Sequence, residues 1–347
     1  MAGGDPGHNY EYGINKIYNP PLSILDNITF YSTYFAIPGT QHDNFVSSHE
    51  KFGPILVSLE NCQGDRRALI WTKKGIRRIN VPGYEYNTVE QACNYLLEKL
   101  FGTTKDIPLL KLKDNIVSDL VELEKQCFFV NYKFGVLLAR PGKISEDEMY
   151  DNSEMSPDFE EFLSFLGDKI ALKGWKGFRG GLDVELDKTG EYSYYTMFDS
   201  DIQIMFHVCP LIPYIPDDPS RKRYIGNDVV VIIFKEGEND VFNPAIMRSQ
   251  FNYVFLVVEK VPQTEGTTKY RIQFCSRPGV PPFPPYLNDP PVFEKTPEFR
   301  QFLLTKLING ERATISSAKD FAQKMDRTRN QLLETLIEKY KAPKKKK

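Results

Sequence analysis

The chain lacks the short motifs that announce a self-sufficient active site. Its glycine-rich stretch GWKGFRGG, Gly174 to Gly181, has no Gly-Lys-Ser/Thr ending, so it is not a phosphate-cradling loop of that type. The 4 histidines, His8, His42, His49 and His207, stand at no metal-ligand spacing and beside no Gly-x-Ser-x-Gly elbow. Cys62, Cys93, Cys127, Cys209 and Cys275 are odd in number and form no Cys-x-x-Cys pair, which excludes a disulfide framework or zinc knuckle and fits reduced thiols in the cytoplasm. Charge of one sign is lacking as well: 44 Lys and Arg against 46 Asp and Glu leave a net −2, so nucleic acid is not the implied partner. No apolar run approaches the length of a membrane span, Met1 to Pro21 is not signal-like, and no internal repeat is present. No metal and no cofactor of its own is expected.

What is present is the composition of an ordinary globular protein, long enough for two modest domains. Residues 1–23 read as a disordered extension and residues 24–126 as a small α+β domain. In the latter, GPILVSLE and RALIWTK flank a Gly-Asp turn as a hairpin, and Thr88 to Leu100 carries a helical apolar stripe. Asp106 to Lys125 reads as a connection. Residues 127–341 form the larger α/β domain. Its buried strands lie near Phe128 to Arg140, Tyr192 to Phe198, Ile202 to Cys209, Val229 to Phe234, Tyr253 to Val261 and Tyr270 to Cys275. Ile144 to Glu154 reads as a solvated acidic loop. Ser156 and Pro157 open a helix that Gly167 stops, Thr296 opens another that Gly310 stops, and a last helix covers roughly Ala318 to Tyr340. Residues 342–347 are a basic tail, either solvated or in peripheral contact with anionic lipid.

One stretch stands apart. RKRYIGNDVVVIIF, Arg221 to Phe234, places the carboxamide of Asn227 on a glycine-containing turn between a basic cluster and a buried strand. Asn227 and Asp228 are also ordinary turn chemistry, closing their own backbone hydrogen bonds. With SPDFEEFLSFLG, GWKGFRGGLDV and IMFHV upstream, and Ser249 to Phe251, PEFRQFLLTKLIN and DRTRNQLLETL downstream, the segment resembles the catalytic region of the Rap-type GTPase-activating proteins, over about Lys133 to Tyr340.

The resemblance implies an activator of GTP hydrolysis rather than an enzyme complete in itself. It implies a G-domain-like mixed sheet in the larger domain, and dimerisation through the smaller one. The partner would be a GTP-bound Rap-type small GTPase that supplies GTP and Mg²⁺ but lacks the switch glutamine, and Asn227 would be the inserted "asparagine thumb" that orients the attacking water. By the same resemblance Arg221, Lys222, Arg223, Tyr224, Phe251 and Arg327 face the partner. Tyr224 stands where many relatives carry His, which removes a proton-shuttling imidazole. His207, inside an apolar strand, is a core residue by default and joins the partner-facing candidates. Ral, Rheb or Ras proteins are alternative substrates, and a silent GTPase-binding scaffold is the alternative from another class.

Overall fold

The computed structural model describes residues 1, 3, 5–13, 30–113, 115–126, 130–199, 201–216, 218–237, 240–262 and 266–341. Residues 14–23 of the expected extension, Cys127 and the basic tail lie outside these. Packing divides the chain into two units, Met1–Asp26 with Phe129–Ala318 and Asn27–Phe128 with Lys319–Lys347. Both are α/β.

The head is not wholly an extension: β1 (Asn9–Tyr10) adds an edge strand to the larger unit's sheet, opposite Ser276 and Cys275. The smaller unit follows as α1 (Phe30–Tyr34), β2 (His42–His49), β3 (Gly53–Glu60), β4 (Arg66–Thr72), β5 (Gly75–Val81), α2 (Val89–Phe101), β6 (Leu110–Lys111) and α3 (Val117–Gln126). Its antiparallel sheet runs β5-β4-β3-β2-β6, and the expected hairpin is β3–β4, with Leu59 opposite Ala68. Helix α2 starts where a Thr88–Gln91 capping box supplies its orphan N–H groups and ends at Gly102 in the left-handed region; it buries Ala92, Cys93, Leu96 and Leu97. The expected connection contains β6 and α3, whose Leu120 and Leu123 are buried.

The larger unit continues with β7 (Asn131–Ala139), α4 (Glu146–Asp151), α5 (Pro157–Leu166), β8 (Asp168–Ala171), β9 (Tyr192–Phe198), β10 (Ile202–Val208), α6 (Ser220–Ile225), β11 (Val230–Lys235), β12 (Val254–Lys260), β13 (Lys269–Ser276), β14 (Val292–Glu294) and α7 (Pro297–Ser317). The sheet order is β1-β13-β12-β11-β7-β10-β9-β8, with β14 on β13. The middle four strands, β12, β11, β7 and β10, are parallel and their outer neighbours antiparallel. Side chains alternate across it. Phe234 meets Phe159 and Phe162 of α5, whereas Ile233, Val231 and Leu137 point to the opposite face and pack with Met149, Tyr150 and Ile225 of α4 and α6.

Three expectations fail for physical reasons. The acidic segment is no solvated loop: a Ser145–Glu148 capping box starts α4, which buries Glu146, Met149 and Tyr150. Helix α7 does not stop at Gly310. An added Cβ there would lie 3.2 Å from the Phe283 ring and 3.3 Å from Val254, so this glycine serves close packing. The last helix, α8 (Lys319–Lys341), was expected with the larger domain but packs with the smaller unit, where Leu333, Leu336 and Ile337 join Leu56, Leu69, Trp71, Leu120 and Leu123. An apolar stripe says that a helix is covered, not by what. Among the described residues no helix is long and apolar enough to cross a membrane, no metal-binding cluster occurs, and Cys62, Cys93, Cys209 and Cys275 are free.

Gly135, in the middle of β7, packs against Ile225 of α6. A Cβ at Gly135 would stand 2.7 Å from Ile225 Cγ2 and 3.2 Å from Asp228 Oδ2. Gly135→Ala should therefore overpack this contact and cost about 1–3 kcal/mol, read as a lower urea midpoint with unchanged m-value. An unchanged midpoint would mean that α6 yields freely.

Candidate functional site

The segment singled out in the sequence lies at the N-terminal edge of the parallel strands. Helix α6 is short, and only its Arg221 and Ile225 are buried. Gly226 keeps right-handed angles, φ −65° and ψ −14°, so the chain turns into β11 without a left-handed glycine. Asn227 is exposed, and its Nδ2 donates to Arg223 O at 2.6 Å. Because a carbonyl only accepts, this contact settles the amide's orientation and leaves Oδ1 as its outward end. The bond also closes the helix end, so the turn chemistry read in the sequence is real and coexists with an exposed carboxamide.

The next residue is its opposite. Asp228 is fully buried; its Oδ1 accepts from Lys133 Nζ at 2.8 Å and its Oδ2 meets His207 Nδ1 at 2.8 Å. His207 Nε2 donates to Gly180 O at 3.0 Å, which ties the Gly174 to Gly181 stretch to the same cluster. Lys133 Nζ also donates to Asn227 O at 2.9 Å. Asn252 Nδ2 donates to Ile225 O at 3.0 Å and Asp228 O at 2.6 Å, and Ser249 Oγ donates to Gly226 O. Four consecutive carbonyls, 225 to 228, thus each receive a side-chain donor, and Ile225 O also accepts Asp228 N–H at 3.1 Å.

The basic cluster divides by function. Arg221 is buried and donates to Ile212 O, Tyr150 O, Asn152 O and Ser153 Oγ, so it fastens α6 to the end of α4, the residues after it and the segment after β10 rather than meeting a partner. Lys222 is exposed but pairs with Asp147 of α4 at 2.6 Å, and Arg248 holds Glu146 and Asp147 from the other side. These cations hold the Asp147 carboxyl below the usual carboxylate range. Arg223 is exposed, its guanidinium 5.4 Å from the Tyr224 ring, and no ion pair engages it among the described residues. Tyr224 is half-buried, edge-on to His207 at 5.8 Å and packed with Leu172, Leu182 and Met205. A packing role therefore suits it.

Phe251 is 49% exposed beside this turn, between the Ser249 and Asn252 donors. His207, expected to face a partner, is 1% exposed and belongs to the core, because its ring bonds inward on both sides. Arg327 is exposed on α8 in the smaller unit, and its neighbours four residues away, Gln323 and Gln331, offer no charge to pair with. Sequence reading missed Lys133, Ser249 as a donor, Asn252 and Gly135. A polar residue just before a strand that opens on a run of apolar residues, the pattern of both Asp228 and Asn252, was the available signal.

On α7, Glu311 retains some exposed surface, but its Oε2 is buried and without a hydrogen-bond partner. Burial pushes this carboxyl up to about 8, the Asp228 charge adds to the rise, and Lys133 and Arg312 oppose it. The folded protein therefore binds a proton that an unfolded Glu releases near 4.5, so stability from this group is full at low pH and falls as pH rises to about 8. Glu311→Gln should flatten that decline in urea titrations across this window. Equal slopes in both proteins would mean that the carboxyl ionises normally.

With the geometry in place, comparison with known proteins gives a family. Residues 149–330 match the Rap/ran-GAP family. The chain is 40% identical over 323 residues to the human GTPase-activating Rap/Ran-GAP domain-like protein 3, covering 88% of this chain and 31% of that protein. It is 35% identical over 337 residues to the human signal-induced proliferation-associated 1-like protein 3, covering 89% of this chain and 18% of that one. The chain thus spans about a third or less of these relatives' length. A solved structure of the TSC2 GAP domain aligns with a TM-score of 0.46 and 29% identity, over 53% of this chain and 99% of that one. The family match covers just over half of the residues and contains α6, the exposed Asn227 and the buried Asp228 and His207 behind it, and the chain belongs to the Rap/ran-GAP family.

Proposed function

We propose that the chain stimulates GTP hydrolysis by a Rap-type small GTPase, with Asn227 as the group presented to the attacking water. One observation carries this reading: the outward carboxamide of Asn227 stands on a turn whose carbonyls are all engaged, so its position is set before any partner arrives. The GTPase brings the nucleotide, Mg²⁺ and phosphate cradle, and what it needs from a partner is an oriented polar group. Asn227 Oδ1 is an acceptor suited to a hydrogen of that water, and Nδ2 is held by Arg223 O. Arg223 and Phe251 offer a cation and an apolar ring for docking beside it, while Arg221 and Lys222 are engaged internally. Tyr224 leaves no imidazole at its position, so proton shuttling plays no part.

Single-turnover hydrolysis by GTP-loaded Rap, Ral, Rheb and Ras proteins, with and without the chain, tests the substrate. On the responsive GTPase, Asn227→Ala should lower the maximal rate roughly 10²-fold, the usual cost of deleting one positioned transition-state group, with little change in binding. Its thermal unfolding should move little because the side chain is exposed. Full activity with lost stability would assign Asn227 to the turn alone, and an unresponsive panel bound without hydrolysis would assign the chain to scaffolding.

The smaller unit is the proposed dimerisation element, supported by its small separate core and by β5, which pairs on one side only among the described residues. Light scattering at about 10–50 μM, where weak interfaces associate, should give twice the chain mass. A monomer there would remove this assignment.

A further inference from the structure

We infer that Asn252 is a positioning residue that clamps the peptides on both sides of Asn227 and couples them to the exposed Phe251 surface, an inference that rests on the GTPase-activating reading above. The two hydrogens of Asn252 Nδ2 go one each to Ile225 O and Asp228 O, at 3.0 and 2.6 Å, so a single side chain spans the turn that carries Asn227. Ser249 closes the intervening carbonyl of Gly226. Phe251 lies between these two donors, and its own N–H donates to Ser249 Oγ at 3.1 Å. Arg277 Nη2 donates to Ser249 O at 2.5 Å and Nη1 to Gln250 O at 3.4 Å, which fastens the start of the segment to the chain just after β13. A partner that presses on Phe251 therefore pushes on a stretch of four residues whose first and last side chains hold the Asn227 turn.

The chemistry at Asn252 argues for this role over simple packing. The side chain is fully buried, and its Oδ1 has no hydrogen-bond partner among the described residues. An orphaned buried acceptor costs about 1–3 kcal/mol, a penalty that an apolar side chain at this site would avoid. What an apolar side chain would lose is the double donation, and with it the fixed register of residues 225 to 228. Fixing that register in the free protein lowers the ordering cost of reaching the transition state, so its loss should appear in the maximal rate rather than in affinity.

The test is single-turnover hydrolysis by the responsive GTPase over a range of activator concentrations, with thermal unfolding recorded on every variant. Asn252→Leu should lower the maximal rate about 10- to 100-fold while the half-saturating concentration changes less than about 3-fold, the pattern of a lost transition-state arrangement. Asn227→Ala with Asn252→Leu should be no slower than Asn227→Ala alone, because the clamp acts only through Asn227; a merely structural loss would multiply. Ser249→Ala removes one donor of the same clamp and leaves the buried site intact, so it should lower the maximal rate in the same sense and decides the matter if Asn252→Leu does not fold. Wild-type maximal rates in the folded variants, or a double mutant slower by the product of the singles, would overturn the inference. If Asn227→Ala itself keeps full activity, the functional reading falls and the clamp with it. If Asn227→Ala is slow and the clamp variants are fast, only the clamp falls.

Discussion

The buried carboxylate of Asp228 is the constraint on which the rest of the site depends. It lies wholly out of water beside the parallel strands, and a charge there is tolerated only when opposite charge and hydrogen bonds surround it. Lys133 of β7 and His207 of β10 supply them, so two strands of the sheet and the turn before a third are joined at one atom pair each. Breaking such a pair by removing one partner costs about 3–5 kcal/mol, because the survivor stays buried and uncompensated. The same lysine reaches Asn227 O, which makes the exposed carboxamide a direct neighbour of the most strongly held group in the site. Gly135 follows from this arrangement, since a side chain on β7 would occupy the space that Ile225 and Asp228 fill.

A second tier of contacts decides which charges face solvent. Helix α4 carries three acids in its first turn: Glu148 closes the capping box with Ser145, Glu146 holds Arg248, and Asp147 reaches the basic cluster of α6. Asp147 holds Lys222, and carbonyls at the end of α4 and just beyond it hold Arg221. Burial lowers the guanidinium pKa of Arg221, yet four hydrogen bonds keep the group satisfied. Of three adjacent cations, one is structural, one is paired at the surface and one is left outward. Exposed ion pairs contribute little stability, so the Lys222 pair matters more for where it aims α6 than for its energy.

Much of this was legible in the sequence where a local rule suffices. The caps at Ser156 and Thr296 start helices because hydroxyl side chains meet orphaned N–H groups within their own segment. The apolar run before Phe234 is a strand covered on both faces, as its composition requires. Asn227 could be singled out because an amide between basic residues and a buried strand is uncommon. The course of α7 past Gly310 and the attachment of α8 were not legible, since each depends on a surface brought from elsewhere in the chain, whereas α4 carried a local signal, the Ser145–Glu148 capping box, that the reading missed.

The sequence by itself determined most of the element types and the family pattern that surrounds Asn227. Tertiary structure alone decided that Asp228 is buried, that His207 turns inward, that Arg221 is spent on carbonyls 69 and 71 residues away in sequence, and that Asn252 holds both sides of the Asn227 turn. The physical reason is the range of the forces involved. Capping and periodicity act within a few residues and leave their record in the local sequence. Compensation of a buried charge acts across space, and its partners, Lys133, His207 and Asp228, become neighbours only when the strands pair.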